Sequence, residues 1–190
     1  MNVLVIDNFD LFTYNLVDEF EKKECEVLVY RNDTDMKIID SVIRKFKPKL
    51  IVISSGPARD YGISIDVIRT YQGQIPIFGV GSGMHFIIEA FEGKVNKATA
   101  NHSNLAKINH DGKTIFKKLE NNFEAGAYAT LAATDVPYAL EVSARNENGV
   151  VMGVRHKEAF VEGVQFDPSS LLTVSGDAII DNLLKEIEKK

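Results

Sequence analysis

The sequence predicts an α/β fold with a mainly parallel central sheet flanked by helices and an antiparallel extension. Three observations carry this expectation. Short, near-continuous apolar runs alternate with helical patterns through the first half of the chain, the pattern of parallel strands covered on both faces. The second half, from about Lys94 to Gln165, reads as short strands and turns. The composition is that of an ordinary globular chain: 190 residues, 45% hydrophobic and 26% charged, enough to bury one good core.

The elements follow in order. Val3–Ile6 is a short apolar strand. Leu11–Lys23 is helical, with Phe12, Leu16 and Phe20 recurring on one face. Glu26–Tyr30 is a second strand and Met36–Phe46 a second helix, with Ile39, Val42, Ile43 and Phe46 inward. Leu50–Ser54 and Ile75–Val80 are further strands, separated by a helix over Gly62–Tyr71. Met84–Phe91 is a helix that packs through Phe86 and Ile87. Beyond it, strands are expected at Leu105–Asn109, Tyr138–Ala144, Val150–Arg155 and Ala159–Gln165, with a hairpin-type turn at His110-Asp111-Gly112. The chain closes with a helix over Ser169 to Lys189. No linker, repeat or low-complexity tract divides it, so residues 1–190 are expected to form a single domain.

The net charge of −5 is spread over interspersed acids and bases, which disfavours nucleic acid, a partner that needs a basic face. A single cysteine, Cys25, permits no internal disulfide and fits a reducing compartment. It opens a strand at the amino edge of the sheet and reads as a packing residue. No apolar run approaches the roughly 20 residues that cross a bilayer. Met1 leads into a strand without a charged and apolar leader. A cytoplasmic location with no membrane partner is expected. The four histidines, His85, His102, His110 and His156, show no metal-ligand spacing, so no metal is expected.

In open α/β sheets ligands bind outside the carboxyl ends of the strands. Four stretches fall there: Asp7–Asp10, Ser54–Gly62, Gly79–Gly83 and Phe166–Ser169. Asp7–Asp10 can end a strand and cap a helix, or touch substrate. Ser54–Tyr61 is a long turn whose N–H groups suit an oxyanion, or a plain loop. Gly79-Val80-Gly81-Ser82-Gly83 joins a strand to a helix in the manner of a nucleophile elbow, but its central residue, Gly81, carries no attacking atom. As a dinucleotide fingerprint it is one residue short of G-x-G-x-x-G and follows the wrong strand. It also suits an anion site at a helix start, or a tight turn.

Several stretches together carry a resemblance: IDNFDLFTYNL, SSGPARD, PIFGVGSGMHFIIEAFEGKV, INHDGKTIFKKL and MGVRHKEAFVEGVQFDPSSLLT. Over nearly its whole length the chain resembles the class I glutamine amidotransferase subunits of anthranilate synthase and aminodeoxychorismate synthase. The last stretch favours these over the related GMP synthetase subunit. The resemblance implies a flavodoxin-like, Rossmann-like fold. It also implies a cysteine nucleophile at the elbow, served by a histidine and a glutamate two residues apart, with no cofactor. The family's reaction gives a glutamyl thioester and ammonia, which passes to a synthase that aminates chorismate.

At the family's three catalytic positions this chain has Gly81, Asp167 and Ser169. The substrate-binding positions implied by the resemblance are Gly56, Pro57 and Ala58, Ser82 and His85, and Thr130 and Leu131, the latter in a Tyr128-Ala129-Thr130-Leu131 stretch where the family has Tyr-His-Ser-Leu. The loop read as His102-Ser103-Asn104 replaces a His-Gly-Lys loop that in the family lies near the synthase.

Covalent catalysis needs a side-chain atom to attack. Losing the nucleophile or base of a triad costs on the order of 10⁶ in kcat, so negligible glutaminase activity is expected. The leading expectation is a degenerate glutaminase-like subunit that binds or regulates a chorismate-utilising synthase subunit or another protein. The alternatives are a binder of a small anion, nucleotide or glutamine-like ligand at Gly79–Gly83, with Arg59 neutralising charge, and an enzyme of changed chemistry using Asp167, Ser169, Ser82 and His85.

Overall fold

The computed structural model describes residues 1–57, 60–97, 105–128 and 130–189. Ala58 and Arg59, the His102-Ser103-Asn104 loop and Ala129 therefore lie outside the described residues.

The alternation forms as expected. Strands β1 (Asn2–Asp7), β2 (Glu26–Arg31), β3 (Leu50–Ile53), β4 (Ile77–Val80) and, late in the chain, β11 (Val161–Val164) run parallel. They are linked by helices α1 (Thr13–Glu21), α2 (Met36–Phe46), α3 (Ser64–Tyr71) and α4 (Ser82–Ala90). Strands β6 (Leu105–His110), β7 (Phe123–Gly126), β9 (Leu140–Asn146) and β10 (Val151–His156) extend the sheet antiparallel. Among the described residues this gives a nine-stranded sheet in the order β2-β1-β3-β4-β11-β10-β9-β6-β7. β5 (Lys94–Lys97) and β8 (Leu131–Asp135) form a separate ribbon, and α5 (Gly176–Glu188) ends the fold.

Side chains alternate across the sheet because successive residues of a strand face opposite ways. Val3, Val5, Leu50, Val52, Phe78 and Val80 pack on one face with Phe20 of α1 and Ile179, Ile180 and Leu183 of α5. Leu4, Ile6, Ile51, Ile53 and Ile77 pack on the other with Ile39 of α2, Val67 and Ile68 of α3 and Phe86 and Ile87 of α4. Cys25 is buried in the first cluster as a packing residue. Among the described residues no helix is long and apolar enough to cross a membrane.

The structure corrects or refines four expectations. α1 starts at Thr13, so Phe12 precedes the helix and is half-exposed instead of joining Leu16 and Phe20 in the core. In α2 the burial is graded: only Ile39 is fully buried, Val42 and Ile43 face the same core half-buried, and Phe46 is half-buried. Gly112 turns with φ +72°, but no tight hairpin forms there. β6 pairs with β7 across a loop from Asp111 to Asn122 that contains a short helical turn at Thr114–Phe116. The last helix begins at Gly176, not Ser169, because side chains hold the preceding segment in local turns. Ser169 Oγ and its N–H both donate to Asp167 Oδ1, at 2.7 and 2.8 Å, and the N–H of Leu172 donates to Ser170 Oγ. Such bonds compete with helix formation.

At the amino end of β11 the antiparallel extension is locked by a buried cation. Arg155 donates to Asp111 and Glu141 at 2.8 Å and to Glu162 at 3.0 Å. Burial pushes the Glu162 carboxyl up, while Arg155 and Thr114 counteract it.

Candidate functional site

The strand order places the ends of β1 and β3 side by side while their connections leave toward opposite faces, the switch point at which open α/β sheets bind ligands. A cavity of about 320 Å³ opens there. Residues following β1, β3, β4 and β11 line it: Asp10 and Phe12, Ser55 and Gly56, Gly81 and Ser82, and Asp167.

The segment after β3 is positioned by a buried polar network. Asn8 Nδ2 donates to the Ser54 carbonyl at 2.8 Å, and Asn8 Oδ1 accepts from Ser64 Oγ at 2.6 Å and from Asn32 Nδ2 at 3.0 Å. Backbones approach closely here. A Cβ at Gly56 would fall 2.0 Å from the Asn8 carbonyl oxygen, so only glycine fits. Phe9 is held at φ +61°, an outlier for a bulky residue, and Arg31 lies 5.3 Å from its ring centre.

Gly81 caps α4 at φ +59°, ψ −120°, the strained geometry of a strand-to-helix elbow. The space beside it is occupied. A Cβ on Gly81 would lie 2.5 Å from Ser55 Oγ and 2.8 Å from Ser55 Cβ. Three N–H groups around the helix start are also engaged. That of Gly81 donates to Val164 O at 2.8 Å, that of Met84 to Gly81 O at 3.1 Å, and that of Ser82 to Ser55 Oγ at 3.4 Å. Ser82 turns its hydroxyl away from the cavity's centre to Gly56, donating to its carbonyl at 2.7 Å and accepting its N–H at 2.9 Å. Ser55 and Ser82 thus form a hydroxyl latch, with their oxygens 3.2 Å apart.

Of the residues singled out from the sequence, Gly56, Pro57, Gly81, Ser82, His85, Thr130, Leu131 and Asp167 all line the cavity. Ser169 does not. It stands behind Asp167, holding that carboxylate through its hydroxyl and N–H. Ala58 lies outside the described residues. Asp10, Ser55 and Tyr128 fall within the stretches Asp7–Asp10, Ser54–Gly62 and Tyr128–Leu131 and line the cavity as well. Leu11, Phe12 and Gln165 line it without having been singled out as site residues; their signal was position alone, beside those stretches.

The electrostatics are acidic. Burial pushes the Asp10 carboxyl up, and the charges of Asp167 and Asp7 add to the rise against backbone hydrogen bonding at Phe12. His85 is 2% exposed, its Nε2 has no hydrogen-bond partner, and burial pulls its pKa down to about 4, so the imidazole is neutral at pH 7. No lysine or arginine lines the cavity among the described residues. The facing carboxylates, with the Gly81, Ser82 and Met84 N–H groups already paired, argue against an anion at Gly79–Gly83. Asp167 Oδ1 already accepts twice from Ser169, so that oxygen is not free to take a proton from a serine hydroxyl.

The fold and this elbow define a class I glutamine amidotransferase scaffold. The chain belongs to that family, whose pattern, glutamine amidotransferase class-I, matches residues 4–187. It is 40% identical over 187 residues to aminodeoxychorismate synthase component 2 of Escherichia coli, covering 96% of this chain and 98% of that one. It is 39% identical over 194 residues to anthranilate synthase component II of Haloarcula marismortui, covering 97% and 91%. Against a multifunctional tryptophan biosynthesis protein of Pichia angusta it is 42% identical over 189 residues, covering 96% of this chain but 51% of the relative. The chain thus spans about half the length of that relative. Among solved structures, a candidate GMP synthase subunit from Thermoplasma acidophilum superposes with a TM-score of 0.84 at 22% identity, covering 100% of this chain and 98% of that one; the likeness bears on the fold.

Proposed function

We propose that this chain is a glutamine amidotransferase-type subunit that does not hydrolyse glutamine and instead serves by binding a partner. The observation that carries the reading is the elbow. Gly81 offers no attacking atom, and the Ser55 side chain fills the space in which one would sit. The Ser82 N–H, placed where an oxyanion donor would be needed, is turned to Ser55 Oγ. Without nucleophile and base, catalysis falls by on the order of 10⁶, and an occupied oxyanion donor removes a further 10² to 10³ or so.

The exposed apolar rim supports the partner half of the reading. Leu11 is 92% exposed, and Phe12 and Tyr14 stand beside it. Leu171, Leu172 and Val174 project from the loop after Asp167, which Tyr128 joins by a 3.2 Å contact between its hydroxyl and that of Ser170. Exposed apolar side chains gathered around a cavity mark a surface that is covered in use. Two relatives named as synthase components, from Escherichia coli and Haloarcula marismortui, make a chorismate-utilising synthase the first partner to try.

The test is ammonia release from glutamine by the purified chain, alone and mixed with such a synthase, beside co-purification from native extract. No release above buffer, with stable co-purification, is the expected result. Release at an ordinary enzymatic turnover, above about 1 s⁻¹, overturns the reading.

A further inference from the structure

The ionised groups among the described residues that line the cavity are both carboxylates, which favours a ligand of particular charge. Asp10 enters from the loop after β1 and Asp167 from the loop after β11. Asp167 Oδ1 is held by Ser169, which fixes that carboxylate's orientation. His85 contributes a third group from α4, neutral and with Nε2 lacking any partner although the residue is 2% exposed. A buried polar nitrogen left unpaired costs free energy, which a water or a ligand donor placed against it would relieve. The phenyl ring of Phe12 and the phenol of Tyr128 line the same space, as does Phe9, whose ring already has Arg31 5.3 Å from its centre, and aromatic rings attract cations.

We infer that this cavity binds the primary ammonium group of a small organic cation, taken between Asp10 and Asp167 with His85 Nε2 as a further acceptor. This rests on the reading of the elbow as non-hydrolytic, because the space is that of the vanished active site. An ammonium presents three N–H donors and no acceptor, matching two carboxylates and an imidazole lone pair. A carboxylate ligand meets the opposite situation. It finds no lysine or arginine among the described lining residues and faces two like charges. Glutamine, which carries a carboxylate beside its ammonium, is therefore expected to bind less well than a simple alkylammonium of similar length.

The experiment uses the full chain and three probes of one size: n-propylammonium chloride, propionamide and sodium propionate, at constant ionic strength and pH 7. Melting temperature and calorimetric titration are the readouts. Only n-propylammonium is expected to raise the melting temperature. The double variant Asp10→Asn, Asp167→Asn is expected to weaken its binding about 10- to 100-fold, the range for losing hydrogen bonds to a charged group. Equal stabilisation by propionamide or propionate overturns the inference. So does ammonium binding that survives unchanged in the double variant. Charge selectivity in the unaltered chain decides the matter even if that variant fails to fold. Ammonia release from glutamine, measured on the same preparation, would sink the reading of the elbow. Failed charge selectivity without such release sinks only the ammonium site.

Discussion

The contact between Ser55 and the empty elbow yields a prediction that runs against simple restoration of the triad. Gly81→Cys is the obvious first step. At φ +59° and ψ −120° a non-glycine residue carries backbone strain of about 1–3 kcal/mol. Its Cβ would also be 2.5 Å from Ser55 Oγ and 2.8 Å from Ser55 Cβ, an overpacking that adds about 1–3 kcal/mol. Replacing Ser55 with glycine removes both of those atoms and leaves its Cα at 3.6 Å, an ordinary contact. Alanine is insufficient, because its Cβ stays at the 2.8 Å position. A double-mutant cycle in urea on Gly81→Cys and Ser55→Gly is therefore expected to show a favourable coupling of about 1–3 kcal/mol. The strain remains in both arms of the cycle and cancels.

The same pair makes a prediction about chemistry. Ser55 Oγ holds the Ser82 N–H at 3.4 Å, so Ser55→Gly also frees the N–H proposed above as an oxyanion donor. Two chains would be compared by ammonia release from glutamine. Both carry Gly81→Cys, Asp167→His and Ser169→Glu, and one adds Ser55→Gly. The chain retaining Ser55 is expected to be slower by about 10²–10³, the value of one oxyanion donor. A coupling near zero together with equal rates in the two chains would refute the claim that Ser55 occupies the elbow.

Three further outcomes follow from buried groups. His85 has a folded pKa of about 4 against an ordinary 6.5. The unfolded chain thus binds a proton that the folded chain refuses. Stability from this group is complete above about pH 6.5 and is lost as pH falls toward 4, a loss of about 3 kcal/mol. Urea melts at pH 7 and pH 4 should show an acid-induced loss smaller by about that amount in His85→Gln. Arg155→Leu strands the buried Glu162 carboxylate, costing about 3–5 kcal/mol, and adding Glu162→Gln should recover part of it in the same assay. Asn8→Ala unpairs the Ser54 carbonyl and Ser64 Oγ and leaves Asn32 Nδ2 only its bond to the Asp60 carbonyl. At about 1 kcal/mol or more per orphaned group, it should lower the urea-derived stability by at least about 2 kcal/mol.

The parallel half of the sheet was legible because its strands are fully apolar and short, a pattern with few other solutions. β5, β7 and β8 were not resolved as separate strands within a region read only as short strands and turns. Lys94–Lys97 has one buried residue, Val95, and Phe123–Gly126 ends in glycine, so neither shows a clean apolar alternation. The start of α5 was misplaced for a different reason. Asp167, Ser169, Ser170 and Thr173 bond to one another and to nearby backbone, and Gly176 comes so close to Pro168 that a Cβ would collide with its carbonyl oxygen. Those constraints belong to tertiary placement, not to periodicity. At the site, the sequence exposed the bare Gly81 but not what stands against it, because Ser55 reaches it from the end of another strand.

That last point bears on what kind of site this is. Had the elbow simply lacked a side chain, the absent group would leave a void, and a void lined by polar groups holds water or collapses. Neither description suits the latch. Ser55 Oγ meets the Ser82 N–H, Ser82 Oγ meets both polar groups of the Gly56 backbone, and the two hydroxyls lie within 3.2 Å of each other. These bonds tie the loop after β3 to the start of α4 with its donors paired inward. The cavity beyond the latch keeps unpaired acceptor capacity, at Asp10, Asp167 and His85. A pocket that turns the Ser82 hydroxyl and N–H inward and sets two carboxylates against its opening is suited to recognise a donor-rich cation, and it is poorly suited to stabilise the negative charge that amide hydrolysis develops.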